Sequence, residues 1–162
     1  MTGVQTCALP IWHGIAELAA LHGYQVRLRD VDDSIVDEGL AQIAWSLDKL
    51  ADEGRIDEDT ADQALDRLTG TTSLEDALAE VDLVVEAVPE ELSLKQEVFA
   101  EAEELAPGDA VFATNTSALR PTEIGADLTD PSRVVGMHFF NPVLLMDLVE
   151  IIPAEQIGRA HV

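Results

Sequence analysis

His138, Asn141 and Glu150 fall in one stretch, RVVGMHFFNPVLLMDLVE from Arg133 to Glu150, and they offer the side chains of a proton-transfer site. A neutral imidazole accepts a proton near pH 7, and a carboxylate beside it stabilises the imidazolium that forms. Val134 and Val135 are β-branched and apolar, and Asp130-Pro131 signals a turn just before them, so the run reads as a buried strand. His138 comes where that strand should end. Asn141-Pro142 then turns the chain, and a second apolar run, Leu148 to Ile152, carries Glu150 in its middle. In an open α/β sheet, ligands bind outside the carboxyl ends of the strands, which places a histidine there for chemistry. The residues alone leave an alternative open: a core histidine with satisfied hydrogen bonds and a solvated glutamate.

The elements that must position this stretch alternate along the chain. His13 to His22 predicts a helix with Ile15, Leu18 and Ala19 on one face and Gly23 as its stop. Val26 and Leu28 alternate with polar neighbours in a half-buried strand that ends at Asp30. Helix, turn, strand and terminal acid form the second half of a dinucleotide-binding βαβ unit, whose first strand and glycine loop would lie before His13. Asp30 either hydrogen-bonds an adenosine ribose 2′-OH or caps the next helix, a role Asp32 or Asp33 could fill instead. Two helices follow, Asp33 to Asp52 with Leu40, Ile43, Leu47 and Leu50 inward, and Asp57 to Leu68 with Gly70 as its stop. Thr71-Thr72-Ser73 reads as a short strand or cap before a helix from Leu74 to Ala79.

Leu83 to Val88 is an almost continuous apolar run, the pattern of a central parallel strand, interrupted by Glu86. A charge there is costly unless hydrogen-bonded, so Glu86 is either a structural acid or part of a cofactor cleft. Pro89-Glu90-Glu91 predicts a helix start, with Leu94, Val98, Ala102 and Leu105 buried and Lys95 off that stripe. Ala110 to Ala113 predicts another strand with Asn115-Thr116-Ser117 at its carboxyl end, where a serine is ordinarily a turn or helix cap. The fold class is α/β, a Rossmann-like doubly wound and mostly parallel sheet, expected to be truncated at its first strand and glycine loop.

HFFNP followed by LVE at this spacing resembles the catalytic segment of the 3-hydroxyacyl-CoA dehydrogenases, and the resemblance extends from His13 to Glu155. It implies oxidation of a (3S)-3-hydroxyacyl-CoA to the 3-oxoacyl-CoA with NAD, in fatty-acid metabolism. His138 would be the catalytic base and Glu150 its partner, while Ser117 would hydrogen-bond the reacting oxygen and, with Asn141, position that oxygen and the imidazole. On the cofactor side it implies Gly14 inside the first helix, Asp30 on the ribose, Asn115 beside the cleft, and Glu90 with Lys95 at the nicotinamide end. It also implies a C-terminal helical domain that closes over the acyl-CoA and makes a homodimer; that lid and the pyrophosphate cradle are both expected to be missing here, so the chain by itself is expected to be inactive. Asp147 departs from the family, where many members carry a basic or neutral residue. A 3-hydroxybutyryl-CoA dehydrogenase and a non-catalytic nucleotide-binding module are the alternatives.

Composition sets limits on all of this. With 162 residues and 47% apolar content, the chain can bury one sizeable core. Asp+Glu 32 against Lys+Arg 9 gives a formal net charge of -23, which disfavours nucleic acid and resembles the acid-rich surface of a halophile. No run is long and apolar enough for a membrane span, no metal site is indicated, and a cytoplasmic location is expected. The ends look foreign. Written as ACG TGT GCT CTT CCG ATC, Thr6 to Ile11 has a reverse complement that encodes Ile157 to Val162 from its second base, as a sequencing adapter read from both sides would. Residues 1–12 and 156–162 are accordingly expected to be non-native around a domain of residues 13–155, which sets aside Cys7 and His161. Trp12 would then stand where the third glycine of the fingerprint belongs, and would crowd the pyrophosphate site.

Overall fold

The computed structural model describes residues 2–6 and 11–154. Seven strands form one sheet: β1 (Thr2–Thr6), β2 (Val26–Arg29), β3 (Leu68–Thr71), β4 (Leu83–Ala87), β5 (Val111–Thr114), β6 (Val134–Phe139) and β7 (Val149–Pro153). Their order is β3-β2-β1-β4-β5-β6-β7. The neighbours from β3 to β6 are parallel, and β7 alone runs antiparallel. The order reverses beside β1, so the sheet is doubly wound and has its switch point between β1 and β4.

The expected truncation is therefore corrected at the first strand. Thr2–Thr6 pairs in parallel with both β2 and β4 and fills the central position of the sheet. Two half-sheets with unpaired central edges would otherwise expose rows of N–H and C=O groups. The glycine positions ahead of Trp12 fall in residues 7–10. Those residues, with Met1 and residues 155–162, lie outside the described residues, as do Cys7, Gln156 and His161.

Among the described residues, six α-helices cover the sheet: α1 (Ile11–Leu21), α2 (Asp33–Asp52), α3 (Glu58–Leu65), α4 (Leu74–Leu78), α5 (Leu92–Leu105) and α6 (Pro121–Ile124). Alternate strand residues feed two cores, as the two-residue period of a strand requires. Val85 and Ala113 join Trp12, Ile15, Ile43 and Leu47 on one face; Val84, Phe112 and Val134 join Val98, Phe99 and Ala102 on the other. No helix among the described residues is long and apolar enough to cross a membrane.

Local chemistry accounts for the helix ends. Asp32 caps α2 by accepting the Ser34 N–H at 2.8 Å, Asp57 caps α3 through the Thr60 N–H, and Ser73 caps α4 through the Asp76 N–H. Three expectations fail here. The helix predicted to reach Leu68 stops at Leu65, and Leu68–Thr71 is the edge strand β3. Gly70 is not a helix stop; a Cβ on it would lie 2.4 Å from Val36 Cγ1, so its bareness lets α2 lie over β3. Helix α5 begins at Leu92 with Glu91 as its N-cap, and its buried stripe is Lys95, Val98, Phe99 and Ala102, with Leu105 44% exposed.

Trp12 supplies a further correction. Its indole is buried in the first core, 6% exposed, over Gly39 of α2, where a Cβ would meet the ring at 1.9 Å. The side chain that was expected to crowd an anion site thus fills the seam between α1 and α2.

Candidate active site

β6 and β7 bring His138 and Glu150 together. Residues opposite each other on antiparallel strands have neighbouring side chains, and the register pairs His138 with Glu150. Their contact is 2.9 Å from His138 Nδ1 to Glu150 Oε2, with the imidazole 18% and the carboxylate 51% exposed. The Phe140 ring lies 4.7 Å from the imidazole, centroid to centroid. His138 stands one residue before the end of β6, so the pair sits at the carboxyl end of the parallel strands.

Asn115 carries this end of β6 to β5. Its N–H donates to the Glu86 carbonyl at 2.7 Å, and its Oδ1 accepts the Phe139 N–H at 2.8 Å, next to His138. Ser117 follows on the same turn, exposed, with its N–H donated to Glu90 Oε1 at 3.1 Å. Glu90 also accepts the Thr116 hydroxyl and the Ala118 N–H. Burial opposes ionisation of Glu90, but the Thr116 hydroxyl, the Ala118 N–H and the Lys95 ammonium outweigh it and hold the carboxyl below its usual range.

Lys95 is fully buried rather than solvated. Its ammonium donates to Glu86 Oε1 at 2.7 Å and the Val88 carbonyl at 3.2 Å, and lies 3.5 Å from Glu90 Oε2. Glu86, also fully buried, accepts the Val88 N–H at 2.5 Å and the Thr114 hydroxyl at 2.7 Å as well. Of its two readings Glu86 fits that of a structural acid, which fixes Val88, Lys95 and Thr114 at the carboxyl ends of β4 and β5. The sequence singled out Glu86 only as an anomaly in an apolar strand; Thr114 and Thr116 carried no signal of their own.

The remaining predicted residues lie elsewhere. Asp30 is fully buried just beyond β2, with its Oδ1 accepting the Val31 N–H at 2.7 Å, and the cap of α2 is Asp32. Gly14 lies in the first turns of α1 against Val143, 3.0 Å from where its Cβ would be, and thus also serves packing. Asn141 is exposed and makes no hydrogen bond to His138 among the described residues. It borders a cavity of about 370 Å³ with His13, Glu17, Ser46 and Val143. Glu17 is 1% exposed, its Oε1 has no partner among the described residues, and burial pushes its carboxyl up to about 7 against the lowering effect of a Ser46 hydrogen bond. Its position on α1 beside Leu18 and Ala19 gave no sign of this.

A doubly wound parallel sheet with a histidine–carboxylate pair does not by itself fix a family. The model of the 3-hydroxyacyl-CoA dehydrogenase NAD-binding domain matches residues 11–162. The chain belongs to that family. It is 38% identical over 156 residues to the 3-hydroxyadipyl-CoA dehydrogenase of Escherichia coli K12, covering 94% of this chain and 33% of that one. It is 39% identical over 142 residues to the 3-hydroxybutyryl-CoA dehydrogenase of Clostridioides difficile, covering 88% of this chain and 50% of that one. The crystal structure of (S)-3-hydroxybutyryl-CoA dehydrogenase from Ralstonia eutropha superposes with a TM-score of 0.91 at 35% identity, covering 98% of this chain and 56% of that one. The chain thus spans between 33% and 56% of the length of these relatives.

Proposed function

We propose that this family member serves NAD-dependent oxidation of a 3-hydroxyacyl-CoA, with 3-hydroxybutyryl-CoA as the narrower alternative suggested by the names of its relatives. The His138–Glu150 pair carries the reading. With Nδ1 facing the carboxylate, the proton of the neutral imidazole resides on Nδ1 and the lone pair of Nε2 is left to accept the substrate hydroxyl proton. Glu150 then faces an imidazolium whose charge it offsets. Ser117, on the turn clamped by Glu90, is the group we assign to the reacting oxygen. Asn141 lies further off, toward α1, and in our reading contacts the substrate rather than the imidazole.

The fold also fits the cofactor of the family. A buried acid just beyond β2, released from capping by Asp32, is the arrangement that holds a ribose 2′-OH and repels a 2′-phosphate. NAD, when bound, supplies the hydride acceptor. The chain's own part is to hold the ribose at Asp30, the proton at His138 and the oxygen at Ser117. The acyl-CoA partner, a C-terminal domain that closes over it and a homodimer formed through that domain belong to the same proposal.

The test is kcat/KM of the whole enzyme for oxidation of a 3-hydroxyacyl-CoA. His138→Ala should lower it about 10²- to 10⁴-fold, as for a lost general base, with the affinity for NAD nearly unchanged. A variant that keeps more than about a tenth of the parent rate would return His138 to the role of a packed core histidine.

A further inference from the structure

The buried charges at the carboxyl ends of β4 and β5 exceed what the fold requires of them. Lys95 is already neutralised by Glu86 at 2.7 Å and bonded to the Val88 carbonyl at 3.2 Å. A buried ion pair of this kind adds little stability over a well-packed apolar pair. Yet a second carboxylate, Glu90, stands 3.5 Å from the same ammonium, and it is 38% exposed where Lys95 and Glu86 are wholly enclosed. Two carboxylates around one ammonium leave a net negative charge. That excess faces the turn of Ser117, because Glu90 binds the backbone N–H groups of Ser117 and Ala118.

We infer that Glu86, Lys95 and Glu90 act as one net-negative unit that biases the cleft toward the cationic nicotinamide of oxidised NAD and against the neutral ring of NADH, with Glu86 as its enclosed positioning residue. The inference rests on the proposed function: the hydride acceptor must lie against the carbon whose oxygen is assigned to Ser117 and whose hydroxyl proton goes to His138, and Glu90 clamps the Ser117 turn. Oxidised and reduced cofactor share both ribose groups, the pyrophosphate and the adenine. They differ in ring charge, so the ratio of their affinities reports the field at the ring. A unit charge at several ångströms, through a dielectric between that of protein and that of water, changes such a ratio by about threefold or more.

Glu86 sets this field without touching the cofactor. Its Oε1 fixes Lys95 Nζ and the Val88 N–H, its Oε2 fixes Thr114, and its carbonyl fixes Asn115. Removing its charge while keeping its shape should leave Glu90 and Lys95 as a neutral pair. A residue that was structural only would weaken both cofactors alike.

The experiment measures dissociation constants of the chain for NADH by fluorescence, and for NAD and ADP-ribose by competition, in the parent, Glu86→Gln, Glu86→Asp and Glu90→Gln. The ratio Kd(NAD)/Kd(NADH) should rise about threefold or more in Glu86→Gln and Glu90→Gln. It should stay at the parent value in Glu86→Asp, which retains the charge, and ADP-ribose should bind all four alike. If Glu86→Gln fails to fold by circular dichroism, Glu90→Gln and Glu86→Asp decide. Unchanged ratios with normal ADP-ribose binding would overturn the inference and leave the nucleotide-binding reading standing. Failure of ADP-ribose to bind the parent would overturn both.

Discussion

Glu17 offers the sharpest test of the packing around α1, through Glu17→Gln. The carboxyl is 1% exposed, Oε1 has no donor, and burial raises its pKa from an ordinary 4.5 to about 7. An acid with a raised native pKa binds its proton more tightly when folded, so the native state holds more protons than the unfolded chain between pH 4.5 and about 7. Stability from this group is present at low pH, falls as pH rises through that window, and is lost above it. At 1.36 kcal/mol per pH unit the full span amounts to about 3 kcal/mol. The amide of Gln has nearly the same shape, can keep a hydrogen bond to Ser46, and does not titrate. The stability of the variant relative to the parent should therefore grow by about 2.5 kcal/mol between pH 5 and pH 8. Every other carboxylate is common to both proteins and cancels in that difference. Urea unfolding at pH 5, 6, 7 and 8 measures it, and at 2–4 °C per kcal/mol a gap of about 5–10 °C in Tm should open over the same range. Parallel stability curves would show that Glu17 is solvated in the folded chain and that α1 does not enclose it.

Three further outcomes follow from particular contacts. Gly39→Ala places a methyl group on the Trp12 ring, so it should destabilise by about 1–3 kcal/mol, and Trp12→Ala should remove most of that penalty in the double variant; additive losses in denaturant titrations would refute the contact. Asp30→Ala should relax the preference for NAD over NADP in the whole enzyme, and an unchanged ratio of kcat/KM values would mean that the acid serves the fold alone. With a net charge of -23, self-repulsion opposes compaction, so Tm should rise as KCl increases, and a Tm that stays flat to molar salt would remove the case for a salt-adapted surface.

Sequence alone determined what short-range physics controls. Apolar periodicity located most helices and central strands; capping chemistry put the N-terminus of α2 at Asp32 or Asp33. The apolar runs on either side of Asn141-Pro142 anticipated two strands, and their antiparallel register makes His138 and Glu150 opposite neighbours. What escaped the sequence depended on partners distant in the chain. Lys95 lies off an apolar stripe and reads as solvated until a carboxylate from β4 meets it, because a buried ammonium is tolerable only when paired. Glu90 reads as a first-turn acid of a helix until the 116–118 turn draws it out of that helix. Residues Thr2–Thr6 read as part of a non-native end, and only the place between β2 and β4 makes them the centre of the sheet. Trp12 reads as an obstruction until the bare backbone of Gly39 gives it room. In each case the deciding term, charge compensation, backbone pairing or shape, belongs to two segments at once, and local periodicity records only one of them.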